Sequence, residues 1–285
     1  MLPKLPQFYV DDVIKRALEE DINYIDVTTD LLIGLESQGE AWLVMKEDGV
    51  ISGLYEVALR VFALVDSNIE FRTFCEDGDS MIKGDVIATV SGCTASILKA
   101  ERTALNLLQH MSGIATYTRK CVDAAADTGA VVCDTRKTLP GIRALQKYAV
   151  LCGGGSNHRF NLSSAAMLKD NHIDAYGSIA GAVKALRERA GHTVMVEVEV
   201  RDLEQLREAV EVGVDVIMLD NMSVGMMKEA VKIVNGRAVL ESSGNVTLDN
   251  IKKIAQTGVD VISVGALTHS VRALDISLKW KTCSD

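Results

Sequence analysis

Most signatures that would place this chain quickly are missing. The cysteines at 75, 93, 121, 133, 152 and 283 form no CxxC pair and no regular framework, so they read as reduced thiols, most of them small core residues. No HxH or HExxH spacing occurs, which argues against a tight transition-metal site. No GxGxxG turn is present, which argues against an open dinucleotide fold. No window offers about 18 consecutive apolar residues, and the opening MLPKLPQFYVDDVIKRALEED lacks an apolar run of signal-peptide length. A soluble, cytoplasmic protein is the expectation. Positive charge is also short: 30 Lys and Arg face 39 Asp and Glu, a net −9 that repels nucleic acid and anionic membrane in bulk. Any anionic ligand must be met by a local cluster.

What is present is an ordinary globular composition, 48% hydrophobic and 24% charged over 285 residues, enough for one barrel-sized domain and a smaller one. Val10, Val13, Ile14, Ala17 and Leu18 recur at helical spacing. Glu40 to Ser52 reads as strand, turn and strand around Asp48-Gly49, a helix is expected over Tyr55 to Val65, and 78–92 has hairpin character. A further helix is expected over Ser96 to Met111, with Arg102 on its polar side. From 113 the texture changes. Apolar runs near 130–133, 166–168, 194–200, 214–219, 238–240 and 259–264 alternate with helical stretches, the pattern of a parallel sheet covered on both faces. Gly-Val-Asp-Val-Ile occurs at 213–217 and again at 258–262, so the repeating unit is one βα element and a βα barrel is favoured.

In such a barrel the chemistry gathers at the C-terminal strand ends. There the chain carries Asp134 to Lys137, Lys169 to His172, Glu197 and Glu199, Asp220 and Asn221, Glu241 to Gly244, and Gly265. Between 134 and 172, six Lys or Arg face two acids. Gly153 to Gly155 would let the backbone there approach a ligand. Ser-Ser-Gly and Val-Gly-Ala end the last two strands, where barrels often hold phosphate on backbone N–H groups. The local reading is a phosphorylated ligand at Ser243, Gly244 and Gly265, with further anionic groups met by Arg136, Lys137, Arg159 and Lys169. Glu199 and Asp220 across from it suit ribose hydroxyls, a Mg²⁺ ion or a developing cation. An aldolase with a Schiff base on Lys169, or a non-catalytic anion-binding module, would also use such a cluster.

DTRKTLPGIRALQKYAVLCGGGSNHRFNLSSAAMLKDNHI at 134–173 resembles the signature block of the quinolinate phosphoribosyltransferases. The resemblance extends to ERTALNLLQHMSGIAT at 101–116, VEVEV at 196–200, LDN at 219–221, ESSG at 241–244 and SVGALTHS at 263–270. It implies an α/β fold: an N-terminal α/β sandwich domain (1–112), a C-terminal incomplete, seven-stranded α/β barrel (113–270), and a segment 271–285 packing back on the N-terminal domain. It implies a homodimer or higher oligomer, and transfer of phosphoribose from phosphoribosyl pyrophosphate to quinolinate with loss of CO₂. Arg136, His158, Arg159 and Lys169 would hold the quinolinate carboxylates, with Arg102 reaching in from the neighbouring subunit. Lys137, Glu199, Asp220, Ser243, Gly244 and Gly265 would hold phosphoribosyl pyrophosphate and Mg²⁺, the ion mainly through pyrophosphate. Thr135, Ser242, Ser263 and Val264 complete the expected substrate contacts, and Lys137, Glu199 and Asp220 are the expected catalytic residues.

Overall fold

A computed structural model describes residues 2–281. Cys283 and the end of the expected C-terminal segment, 282–285, lie outside the described residues. The described residues form two compact units: 2–119, 138–154 and 270–281 make the first, and 120–137 with 155–269 the second.

In the first unit, α1 (Gln7–Ile22) buries Val10 and Ile14, one turn apart. Helix α2 (Val27–Leu32) starts at Asp26, whose carboxylate accepts the Thr28 and Thr29 N–H groups. Strands β1 (Gln38–Met45), β2 (Gly49–Val50), β3 (Glu70–Thr73), β4 (Ser80–Met81), β5 (Val86–Cys93) and, from the chain's end, β12 (Ile276–Trp280) make two antiparallel sheets. One has the order β12-β1-β5-β3 and the other pairs β2 with β4. The helix expected at Tyr55 to Val65 is present, opening as a π-helical turn at Leu54–Ala58 before α3 (Leu59–Val65). Its first N–H groups, on Gly53 and Leu54, donate to the Asp77 carboxylate at 2.9 Å. Leu43, Met45, Ile87, Leu105, Leu108, Leu274 and Ile276 share the core, so the 270s segment is built into this unit.

Helix α4 (Thr94–Ala124) runs past the expected end at Met111 and through the expected boundary at 112. Gly113, just past the expected helix end, serves packing: a Cβ there would collide with the Arg272 carbonyl oxygen and lie 3.2 Å from Ala273 Cα. Helix α5 (Arg143–Cys152), expected in the barrel, groups with the first unit. Gly153 follows, and its missing Cβ leaves room for Ala115 O and Thr118 Cβ of α4, each 2.5 Å from where it would sit.

The second unit holds six parallel strands, β6 (Val131–Cys133), β7 (Ala166–Leu168), β8 (Val196–Val200), β9 (Val216–Asp220), β10 (Val239–Ser243) and β11 (Val261–Ser263), in the order β6-β11-β10-β9-β8-β7. Six helices follow in the chain: α6 (Asp170–Tyr176), α7 (Ile179–Arg187), α8 (Leu203–Val212), α9 (Val224–Val234), α10 (Ile251–Ala255) and α11 (Ala266–His269). This is an incomplete α/β barrel. Where a seventh strand was expected, the free edge of β6 carries one isolated parallel bridge, Cys133 to Ser156. The repeated pentapeptide has a physical role. Gly213 (φ +72°) and Gly258 (φ +92°) take the left-handed conformation that ends a helix. Asp215 and Asp260 then accept the N–H groups of Val196 and Leu240 on neighbouring strands, at 2.7 and 2.8 Å.

Gly→Ala inside a helix ordinarily stabilises by up to about 1 kcal/mol. At Gly113 the sign reverses, because the added methyl meets backbone that cannot rotate away. Gly113→Ala is expected to cost about 1–3 kcal/mol net in denaturant unfolding, and an unchanged or raised midpoint would refute the close approach of 272–273 to α4.

Candidate active site

Alternation along the barrel strands decides which side chains meet. On β8, Val196, Val198 and Val200 are buried on one face, which puts Glu197 and Glu199 on the other. On β9 the same rule aligns Met218 with Asp220, and on β10 Glu241 with Ser243. The C-terminal strand ends open into a cavity of about 720 Å³. Its lining includes Thr135, Arg136, Lys137, His158, Arg159, Lys169, Glu199, Asp220, Ser243, Gly244, Ser263 and Gly265.

Four Lys or Arg side chains and two carboxylates thus share one cavity. Lys169 Nζ bonds Glu199 Oε2 at 2.9 Å, so this ammonium is already paired and poorly suited to Schiff-base chemistry. Arg159 is anchored by Nη1 to the Ala165 carbonyl at 2.9 Å. Burial, and then the nearby charge of Arg136, pulls Arg159 below the usual arginine range. The Nε of Arg136 is buried and has no hydrogen-bond partner within the protein. Such a group is costly to leave unmet, and a carboxylate placed in the cavity would satisfy it.

The loop carrying His158 and Arg159 is pinned from below. Asp134, fully buried at the end of β6, accepts the His158 N–H at 2.9 Å and the Asn157 side-chain amide at 2.7 Å. Opposite, Asn221 and Asn245 adopt φ of +51° and +52°, and the Asn245 amide donates to Asn221 Oδ1 at 2.9 Å. Between them Gly244 sits at φ +97°, where a Cβ would strike the Asn221 amide. The turn after β10 therefore exposes backbone to the cavity, as phosphate cradles do.

Three expected residues are not in the lining. Ser242 is fully buried with its hydroxyl 3.7 Å from Met227 Sδ in α9, because alternation turns it away when Ser243 faces in. Val264 is buried, with its N–H donating to the Cys133 carbonyl. Arg102 is exposed on α4 within the first unit. The glycines at 153–155 are also absent from the lining, and Gly153 serves helix packing instead. Conversely, the cavity recruits Met167, Met218, Asn221, Asn245, Thr247 and His269. The two methionines follow from strand alternation, whereas Asn245 and Thr247 carry no periodic signal.

Residues 26–112 match the family described as "Quinolinate phosphoribosyl transferase, N-terminal domain" and 114–279 its "C-terminal domain". A Bacillus subtilis protein named probable nicotinate-nucleotide pyrophosphorylase [carboxylating] is 46% identical over 91% of this chain and 89% of its own length. A mitochondrial quinolinate phosphoribosyltransferase [decarboxylating] of Nicotiana tabacum is 44% identical over 98% and 84%. The crystal structure of NadC from Streptococcus pyogenes superimposes with a TM-score of 0.94 at 44% identity, covering 98% of this chain and all of that one. With both halves matched and the barrel strand ends furnished as described, the chain belongs to the quinolinate phosphoribosyltransferase family.

Proposed function

We infer that this protein transfers phosphoribose from phosphoribosyl pyrophosphate to quinolinate, releasing pyrophosphate and CO₂ and forming nicotinate mononucleotide for NAD biosynthesis. The observation that carries this reading is the buried, unpartnered Arg136 Nε in a cavity that also collects Lys137, Arg159 and Lys169. Quinolinate is a planar pyridine dicarboxylate, and guanidinium groups suit planar carboxylates through paired hydrogen bonds. Arg136, Arg159 and Lys169 bind it, with His158 shaping that side of the cavity. Ser243, Gly244, Ser263 and Gly265 hold phosphate on the opposite strands, and Thr135 fixes the turn by accepting the Lys137 N–H at 3.0 Å.

The pyridine nitrogen attacks ribose C1 as the C1–O bond to pyrophosphate breaks, and positive charge develops on the sugar. Glu199 and Asp220, the only carboxylates in the lining, stabilise that charge, while Lys137 meets the leaving pyrophosphate. The pyridinium then accepts the electron pair of the C–C bond as CO₂ departs, and the ring carbon takes up a proton. Mg²⁺ fits this donor set: it favours one or two carboxylates plus substrate phosphates, and Asp220 and Glu199 offer the carboxylate oxygens. When bound it would neutralise charge on pyrophosphate.

The working form proposed is a cytoplasmic homodimer or higher oligomer. Cys75, Cys93, Cys121 and Cys152 are free thiols, which suits a reducing compartment. No helix among the described residues is long and apolar enough to cross a membrane. Leu31, Leu32 and Leu35 are exposed in and just beyond α2, and Lys99 pairs with Asp30 to hold α2 against α4, one turn from Arg102. An apolar patch beside an unburied arginine supports a subunit contact that delivers Arg102 to the partner's cavity.

Purified protein with Mg²⁺ and phosphoribosyl pyrophosphate is expected to form nicotinate mononucleotide from quinolinate and little from nicotinate, whose single carboxylate leaves desolvated cations unpaired. Equal rates with the two pyridines would sink this account of the basic cluster. Asp220→Ala should lower kcat at least about a hundredfold while quinolinate affinity changes little; loss of quinolinate binding with the fold intact would mean the two subsites are exchanged. Mixing Arg102→Ala with Lys137→Ala subunits should restore roughly one quarter of wild-type activity, since half the dimers are mixed and each has one intact site. No recovery despite verified subunit exchange would refute the shared site.

A further inference from the structure

Two residues before Glu199 on β8 and Ser243 on β10, and so one layer deeper on the same strand faces, lie Glu197 and Glu241. Their side chains are only 6% and 5% exposed. His158 places Nε2 between them, 3.4 Å from Glu197 Oε1 and 3.5 Å from Glu241 Oε1. The Arg159 N–H donates to His158 Nδ1 at 2.7 Å, which makes Nδ1 an acceptor and puts the ring proton on Nε2, facing the acids. The three groups have the spacing of a metal site. This tautomer opposes one, since a metal on Nε2 would need a ring with neither nitrogen protonated.

One N–H cannot serve two buried carboxylates, and Glu241 Oε1 has no hydrogen-bond partner within the protein. Two negative charges at this separation in a buried layer repel strongly. Around Glu241 stand Glu197 from β8, apolar Met218 in register on β9, Ser263 from β11, and His158 from the pinned loop. The Arg159 guanidinium interacts electrostatically with Glu197.

We propose that Glu241 is a positioning residue, kept as a neutral carboxylic acid beneath the cavity floor, which with Glu197 fixes His158 and spares the dicarboxylate site a second negative charge. This rests on reading the cavity as a quinolinate site. Burial first, and the charge of Glu197 second, push Glu241 up to about 7, with His158 and a hydrogen bond to Ser263 pulling the other way. Below that value the acid is neutral. Above it, Glu241 ionises and opposes binding of a doubly charged pyridine from below.

The test compares pH profiles of wild type and Glu241→Gln, an isostere of the neutral acid. The wild-type KM for quinolinate should rise about tenfold between roughly pH 6.5 and 8.5, while that of Glu241→Gln rises less than about twofold and the KM for phosphoribosyl pyrophosphate follows neither trend. A flat wild-type profile, or a Gln variant that tracks the wild type, overturns the proposal. Infrared spectroscopy of the wild type is independent of the variant's folding and of turnover. It should show a buried carboxylic-acid band that disappears as pH rises through neutrality, and absence of that band also overturns the proposal. Wild-type protein that turns over no quinolinate would instead count against the proposed quinolinate reaction, with the infrared band still deciding the state of Glu241.

Discussion

A parallel sheet covered by helices has no wet face, so every charge carried by its strands must be paired or opened to a cavity at the strand ends. That constraint organises the barrel unit. Val196, Val198 and Val200 of β8 take the helix-facing positions, and the two glutamates between them are forced into the interior. Glu199 reaches the cavity and pairs with Lys169, whereas Glu197, a layer deeper, meets His158. An unpaired buried charge would cost several kcal/mol, so the basic residues of the cavity and the acids of the strands are mutually required.

The same logic explains how a loop becomes a precise part of the site. Asp134 could not remain buried without donors, and its donors include the His158 amide and the Asn157 side chain. Meeting the needs of one carboxylate therefore fixes the segment that carries Arg159. At the other end of the strands, Asp215 and Asp260 tie neighbouring strands by accepting the amides of Val196 and Leu240. Acidic residues at the strand starts set the register that the functional strand ends inherit.

In the first unit the decisive element is a close approach. Helix α4 continues through Gly113, and the chain at 272–273 passes where a side chain there would stand, so this glycine is a point of tertiary contact. Gly153, which suggested an open approach for ligand, likewise makes room for α4. Glycine announces freedom of backbone and space, but not which neighbour uses the space.

Local pattern was enough to determine the βα rhythm, the polar strand ends, the twinned Gly-Val-Asp-Val-Ile units and the cation-rich run at 134–169, because period and charge are properties of short segments. Twelve of the expected binding residues line one cavity for that reason: strand ends in a parallel barrel point to a common place whatever the details. Tertiary structure alone decided that Ser242 turns to α9, that Val264 is buried, and that Asn245 and Thr247 join the lining. It also decided that Glu197, Glu241 and His158 converge, since three residues from distant segments meet only when strand order and register are set, and neither is written in any one stretch of chain.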